Sequence, residues 1–569
     1  MTDSPAATQR DSRKSASLHS KHQDASSEQT LQDIEQPSSL DAEKDRALPP
    51  DGGYGWVCVV CNACINAHTW GINSAYGVFL GYYLSSNAFP GTSALAYAFV
   101  GGLSISQAML IAPLATYVVH RFGTRASLNT GIFFETLALI GASFATKLWH
   151  LILSQGVCFG WGMGFLFTAS VGILPQWFLK RRSLANSLSA AGSGLGALIY
   201  SLAAGRAIQT VGLPWTFRIL AICTFSVNII ACNLLRDRNK LIGTRNRAFD
   251  LSILRRPEFL LVQAWGCFSM LGYVVIVFSI PAYARSIGLS ESQGYILNAI
   301  VSLGQMLGRP IIGLTSDRYG RINLACLYSL CSGLAIFAFW IPTEAAPSPY
   351  GLLIFYSIVG GGLAGTFWTT IAPVSTEVVG LKDLPGALSL TWLLLVPPTT
   401  VSQPIALELR SLNQQHWVYL HPQIFTGFMY VAGAMCLWVL RGWKIGQVEE
   451  VERRVLAAKR RSVRTALVEK QEEKAQDELA GKELQGGELL PDGGGNEDAI
   501  ETAASSRHQR NPAAGADEAT AKPDTEAAEA EKVDITPAVI ERIGTQEDVR
   551  DASWRWRDLL RRMCKLQKV

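Results

Sequence analysis

Apolar residues gather into twelve runs between Tyr54 and Arg441, with short polar turns between them. Hydropathy places the runs near 57–79, 95–117, 127–146, 150–173, 186–207, 216–235, 260–283, 294–315, 322–341, 351–372, 387–407 and 423–440. A hydrocarbon core about 30 Å thick is crossed by about 20 residues of helix, which satisfies its own backbone polar groups. The pattern predicts an all-α membrane protein with twelve transmembrane helices. A basic stretch divides the runs into two sets of six, so the expected layout is a tail over 1–50, a six-helix bundle over 51–235, a linker over 236–258, a second bundle over 259–441 and a tail over 442–569.

Composition changes the picture only at the ends. The chain is 49% hydrophobic over 569 residues, an average of an apolar middle and polar tails. Residues 1–50 and most of 470–550 are rich in Ser, Gln, Glu, Ala and Gly and cannot bury enough apolar surface to offset ordering entropy, so they are expected to be disordered. With no apolar h-region near Met1, the first span is expected to act as its own insertion signal. Residues 446–475 are charged and helix-prone. Residues 553–569 alternate Trp554, Trp556, Leu559, Leu560, Met563 and Leu566 with Arg and Lys, the pattern of a basic amphipathic helix suited to an anionic leaflet or to a cytoplasmic protein partner.

The net charge of +4 is spread over loops, which argues against a nucleic-acid partner. Its distribution reports orientation instead. The turns after spans 2, 4, 6 and 8 hold the Arg and Lys clusters, so both tails and the linker are expected to be cytoplasmic. Ten of eleven cysteines fall inside spans, and the Cys58, Cys61, Cys64 run lacks the His or carboxylates of a metal site, so packing is the expected role and neither metal nor cofactor is expected. Glycine runs at 160–164, 192–196 and 360–362 lack the strand and lysine of a phosphate loop and suit close helix approach. No Ser-His-Asp or metal-hydrolase pattern appears, so the chain does not read as an enzyme.

The halves also repeat. HRFGTR at 120–125 after span 2 matches SDRYGR at 316–321 after span 8, and the entry to span 5 at 176–189 matches the entry to span 11 at 379–390. Parallel repeats of six spans are a transporter signature. At these motifs a family resemblance becomes specific. Gly313-Leu-Thr-Ser-Asp317-Arg318-Tyr-Gly320-Arg321 resembles the G-x-x-x-D-R-x-G-R loop of the major facilitator superfamily. Asp51-Gly52-Gly53-Tyr54-Gly55-Trp56 and Trp177-Phe178-Leu179-Lys180-Arg181-Arg182-Ser183-Leu184-Ala185 resemble two signatures of its monocarboxylate porter family, in wording most like the fungal branch.

What the resemblance implies is a major facilitator fold of two pseudo-symmetric bundles and secondary active or facilitative transport by alternating access, in a plasma membrane. Its cargo would be an organic monocarboxylate or related weak acid, with a proton as the candidate co-substrate. The first alternative is uptake or efflux of a larger neutral or secondary metabolite; a second is a non-transporting nutrient sensor. Asp317 with Arg318 and Arg321 would form a gate latch, weaker in the first half, where His120 stands in the acidic position. Asp51, Gly52, Gly53 and Trp56 would shape the entry to span 1, with Trp56 at headgroup level, and Lys180, Arg181 and Arg182 would hold span 5 at the membrane surface.

Charges inside spans cost about 2.5–3.5 kcal/mol each at the bilayer centre and so normally face a cavity. Arg309, in Gly308-Arg309-Pro310, coincides with the family's substrate-anion arginine. Gln305 and Ser74 stand where the family's animal members carry the acid and lysine of a proton-coupled pair. Glu135 and His68 are the remaining candidates for proton coupling, each with an interhelical hydrogen bond as its structural alternative. Arg206, Arg218 and Glu377 lie close enough to span ends to snorkel.

Overall fold

The computed structural model describes residues 49–86, 89, 92–243, 251–411, 416–485 and 556–565; the first tail, part of the linker and most of the second tail lie outside them. Helical columns occupy all twelve predicted positions. The first bundle holds α1 in three pieces (Gly55–His68, Trp70–Ser74, Tyr76–Ser86), α2 in two (Ala94–Leu110, Ala112–Phe122), α3 (Thr124–Ser143), α4 (Leu148–Trp177), α5 (Arg182–Val211) and α6 (Leu213–Leu234). The second holds α7 (Pro257–Ser286), α8 (Glu291–Tyr319), α9 (Arg321–Ala345), α10 (Pro349–Val379), α11 (Leu384–Glu408) and α12 (Leu420–Gln485). Among the described residues nine of these are long and apolar enough to cross a membrane, or ten with the two pieces of α2, bent by 41°, taken together. The segmented α1 and the 20-residue α3 fill the other two places. Helices outrun the hydropathic spans by a few residues because polar first and last turns continue the backbone ladder beyond the apolar stretch.

The two matched turns share a backbone. Gly123 (φ 89°) caps the start of α3 and Gly320 (φ 102°) caps the start of α9, and both angles lie where only glycine is unstrained. The halves meet along α5 and α8, which pack most extensively, and along α2 and α11. The glycine runs make such contacts close. A β-carbon on Gly192 or Gly196 would strike the Ala63 and Ala67 carbonyls of α1, and one on Gly361 would come 2.6 Å from the Val301 carbonyl of α8. Large apolar side chains such as Phe133, Ile222, Leu307, Leu314 and Phe428 stay exposed on the perimeter, the surface that lipid covers.

By packing, the chain divides into two units, Met1–Trp443 with Leu560–Val569, and Lys444–Leu559. In the second, α12 continues as a charged helix with Glu450 paired to Arg454 at 3.1 Å, and it stays helical to Gln485, so the stretch from 470 that composition leaves without a fold is ordered helix at its start. At the chain's end α13 (Trp556–Met563) covers part of the amphipathic stretch. Within the first unit its terminal carbonyl at Met563 accepts from Trp438 Nε1 (2.9 Å) and Arg441 Nη1 (2.7 Å), a cation at a helix C-terminus, while Arg441 Nε holds Asn323 at 2.6 Å.

Candidate transport site

Inner faces of α1, α5, α7 and α8 line a partly open cavity between the bundles. The first bundle lines it chiefly with Asn62, Asn66, Trp70 and Asn73, one polar-aromatic stripe along α1. From the second bundle come Met270, Tyr273 and Phe278 of α7, Arg309 of α8 and Trp368 of α10. Two of the helices that line it are interrupted: α1 breaks at Thr69 and Ala75, and α10 at Gly365. Broken helices at such depth are tolerated where they line a cavity.

Arg309 is 3% exposed. Its Nη1 donates across the interface to the Ala190 carbonyl and Ser193 Oγ of α5, and its Nη2 to Gln305 Oε1. A β-carbon at Gly365 would meet its Nε at 3.0 Å, so the glycine break in α10 makes room for the guanidinium. Every acceptor is neutral, and among the described residues no carboxylate lies within ion-pair distance of it. A carboxylate at 305 would have neutralised it; Gln305, which also accepts from Tyr273 Oη at 3.2 Å, does not. The cavity thus holds a buried, uncompensated cation. Ser74 lines the same cavity and donates to the Trp70 carbonyl at 2.9 Å.

Aromatic rings close the site from both bundles. Trp70 of α1 lies 5.0 Å from Trp368 of α10, Phe167 of α4 lies 5.0 Å from Trp392 of α11, and Trp368 stacks on Trp392 at 12°. Nothing in the sequence pairs residues so far apart, and the abundance of tryptophan is the only signal that could have suggested it.

At the end where the basic turns gather, the bundles are joined. Asp317 of α8 accepts from the backbone N–H of Ser183 (3.0 Å) and Leu184 (2.8 Å) at the start of α5, a carboxylate on a helix N-terminus. Arg321 braces it at 3.3 Å, pairs with Glu377 of α10 at 2.9 Å and donates to the Leu179 carbonyl. Nearby, Asn186 donates to the Thr369 carbonyl at 2.6 Å, again between bundles. Two expectations need correction. Arg318 takes no part in the latch and lies exposed over Tyr319 at 5.5 Å. Glu377 does not snorkel, because Arg321 gives it a nearer partner than the interface. In the first half His120 is exposed with no partner among the described residues.

The same helix start is held from the other side. Asp51 Oδ1 accepts from Leu179 (2.7 Å), Lys180 (2.7 Å) and Arg181 (3.3 Å) N–H, with Asp51 itself at φ 56° and Gly53 at φ 60° making the turn. Gly52 lies between them, close to Trp56. Trp56 packs edge-on against Phe178 at 4.9 Å, so it closes the turn into α1 where the sequence suggested a headgroup position. Lys180 and Arg181 are exposed. Arg182 is not one: it is 0% exposed and donates Nε to the Phe178 carbonyl at 3.0 Å, stitching the turn instead of reaching lipid headgroups.

Glu135 and His68 stand apart from the cavity. Glu135 of α3 is 1% exposed and accepts from Asn228 of α6 at 2.7 Å; His68 Nδ1 faces the Cys64 carbonyl at 2.8 Å and its ring meets Tyr200 edge-on.

With this geometry in view, the comparisons decide the family. The Major Facilitator Superfamily model matches residues 58–390. The chain belongs to the major facilitator superfamily. It is 36% identical to the "Probable transporter MCH2" of Saccharomyces cerevisiae over 72% of this chain and 87% of the relative. It is 27% identical to the "Fujikurins efflux protein" of Gibberella fujikuroi over 72% of this chain and 87% of that one. Among solved structures it resembles the proton:xylose symporter XylE bound to 6-bromo-6-deoxy-D-glucose, with a TM-score of 0.54 and 15% identity over 68% of this chain and 95% of that chain, a likeness of fold. This major facilitator is a multi-pass membrane transporter, and transport, not enzymatic turnover, is its activity.

Proposed function

We propose that this transporter moves an organic weak acid by alternating access, with Arg309 as the anion anchor and the motifs' resemblance to monocarboxylate porters reflecting that chemistry. The observation that carries the reading is the buried guanidinium facing a central cavity with only neutral partners. A charge left uncompensated at membrane depth is costly and persists where it has a task. A carboxylate cargo would neutralise it and draw Nη1 from the Ala190 carbonyl and Ser193 of α5, so binding loosens a contact that holds the bundles together. The positive-inside pattern puts the latched end in the cytoplasm, with both tails, and the latch at Asp317 then favours an outward-facing state. The hydrogen bond of Glu135 to Asn228 supports a structural role for it, as the Cys64 contact does for His68. The efflux relative makes export of an acidic metabolite the first direction to test.

Flux in proteoliposomes is the test. Carboxylate transport should fall about 10- to 100-fold in Arg309→Ala, the loss expected for hydrogen bonds to a charged group. Carboxylate flux indifferent to Arg309→Ala sinks the anchor, and neutral metabolites moving at undiminished rate would favour the larger-solute reading.

A further inference from the structure

The lining of the cavity is more specific than an anion site requires. Four of its side chains carry buried polar atoms with no partner in the protein: the donors Arg309 Nε, Trp70 Nε1 and Trp368 Nε1, and the acceptor Asn62 Oδ1. Asn62 and Arg309 are 2% and 3% exposed, so these atoms are not turned to bulk solvent. Asn62 has already used its amide on the Ser170 carbonyl at 3.4 Å, and its oxygen has only acceptor capacity left. An unpaired buried polar atom is costly, and these four belong to side chains that line one cavity, where a bound solute can supply their partners.

We infer that the cargo is an aromatic carboxylic acid carrying a second polar group that can donate, such as a ring hydroxyl, an inference that rests on the Arg309 anchor proposed above. Its carboxylate oxygens match the guanidinium and the two indole N–H groups, its donor matches Asn62 Oδ1, and its ring fills the space between Trp70, Phe167, Tyr273, Phe278 and Trp368. Planar π faces prefer such walls by offset or edge-on contact, an advantage a saturated ring of the same size lacks. Because Trp70 and Trp368 come from opposite bundles, a ring seated against both also senses whether the bundles are closed.

Calorimetric titration of the full-length protein in detergent tests this with three probes: 6-hydroxy-2-naphthoate, its saturated decahydro analogue, and 2,6-dihydroxynaphthalene. The hydroxynaphthoate should bind about tenfold tighter than the saturated acid. Trp368→Leu should erase that difference. Trp70→Phe keeps an aromatic ring, though a smaller one, and removes the indole N–H, so it should weaken the aromatic acid about threefold and guards against a Trp368 variant that does not fold. Equal affinity for the two acids, both lost in Arg309→Ala, overturns the aromatic inference and leaves the anchor standing. Binding of the dihydroxynaphthalene as tight as that of the acid, unchanged in Arg309→Ala, removes the anchor. Failure of both acids to bind removes the two together.

Discussion

The turns after α2 and α8 have the same shape and opposite chemistry. Each ends its helix on a glycine with φ near +90° that also starts the next, Gly123 and Gly320. Only the second carries a carboxylate. Asp317 reaches the first-turn N–H groups of α5, whereas His120 stays exposed. The receiving ends differ as well. The start of α5 offers Ser183 and Leu184 N–H, but α11 has Pro385 in its first turn, which removes a donor, and Asp383 already at its cap paired to Arg256 at 3.6 Å. Duplication kept the backbone, and of the two matched turns only the second places a carboxylate on the helix start of the other half. A latch on one side only can be released without breaking a mirrored one, which favours switching.

The largest expected effect of breaking the comparison is therefore Asp317→Ala. Removing a carboxylate from a helix N-terminus costs up to ~2 kcal/mol in a partly buried setting, and Arg321 loses a brace at the same time. The equilibrium should shift about tenfold toward the state open at the basic end. Spin labels at the exposed positions Lys180 and Tyr319, with exposed Cys223 and Cys564 replaced, would report a longer distance population. An unchanged distance distribution would show that the latch carries no gating energy.

On the population that the latch sets, the glycines come next. An alanine at φ 89° or 102° is strained by about 1–3 kcal/mol, so Gly123→Ala and Gly320→Ala should lower thermal stability by similar amounts. The same pair should separate in the distance measurement, where only Gly320→Ala, by displacing Asp317, moves the population. Equal shifts would mean that the first turn also gates.

Legibility in the sequence follows the same division. Twelve apolar runs, the repeated turns and a lone arginine inside span 8 are local patterns, and each led to the corresponding feature. Arg182 reads as a surface residue beside Lys180 and Arg181, and only the turn held by Asp51 and Phe178 buries it. Glu377 lies near a span end, and its partner Arg321 belongs to another helix that local sequence does not reveal. Trp70 and Trp368 meet across the bundles, and hydropathy counts both merely as apolar. α12 outran its predicted end because Glu450–Arg454 pairs and helix propensity sustain a helix where hydropathy falls.

The smallest effect should come from trying to build the missing latch. His120→Asp supplies the carboxylate on an exposed turn beside α11, where the mirrored acid of the other half would sit. Two features limit what it can gain. Pro385 leaves the α11 start without one of the N–H groups that Asp317 finds on α5, and Asp383 would repel the new charge across the same turn. A surface ion–dipole contact under those conditions is worth a few tenths of a kcal/mol, less than a twofold change in population. Adding Pro385→Ala should restore the donor, and the double variant should then exceed the sum of the two single ones, since residues in one network couple. Strict additivity would place the asymmetry in the turn's distance from α11, not in the chemistry of the two helix starts.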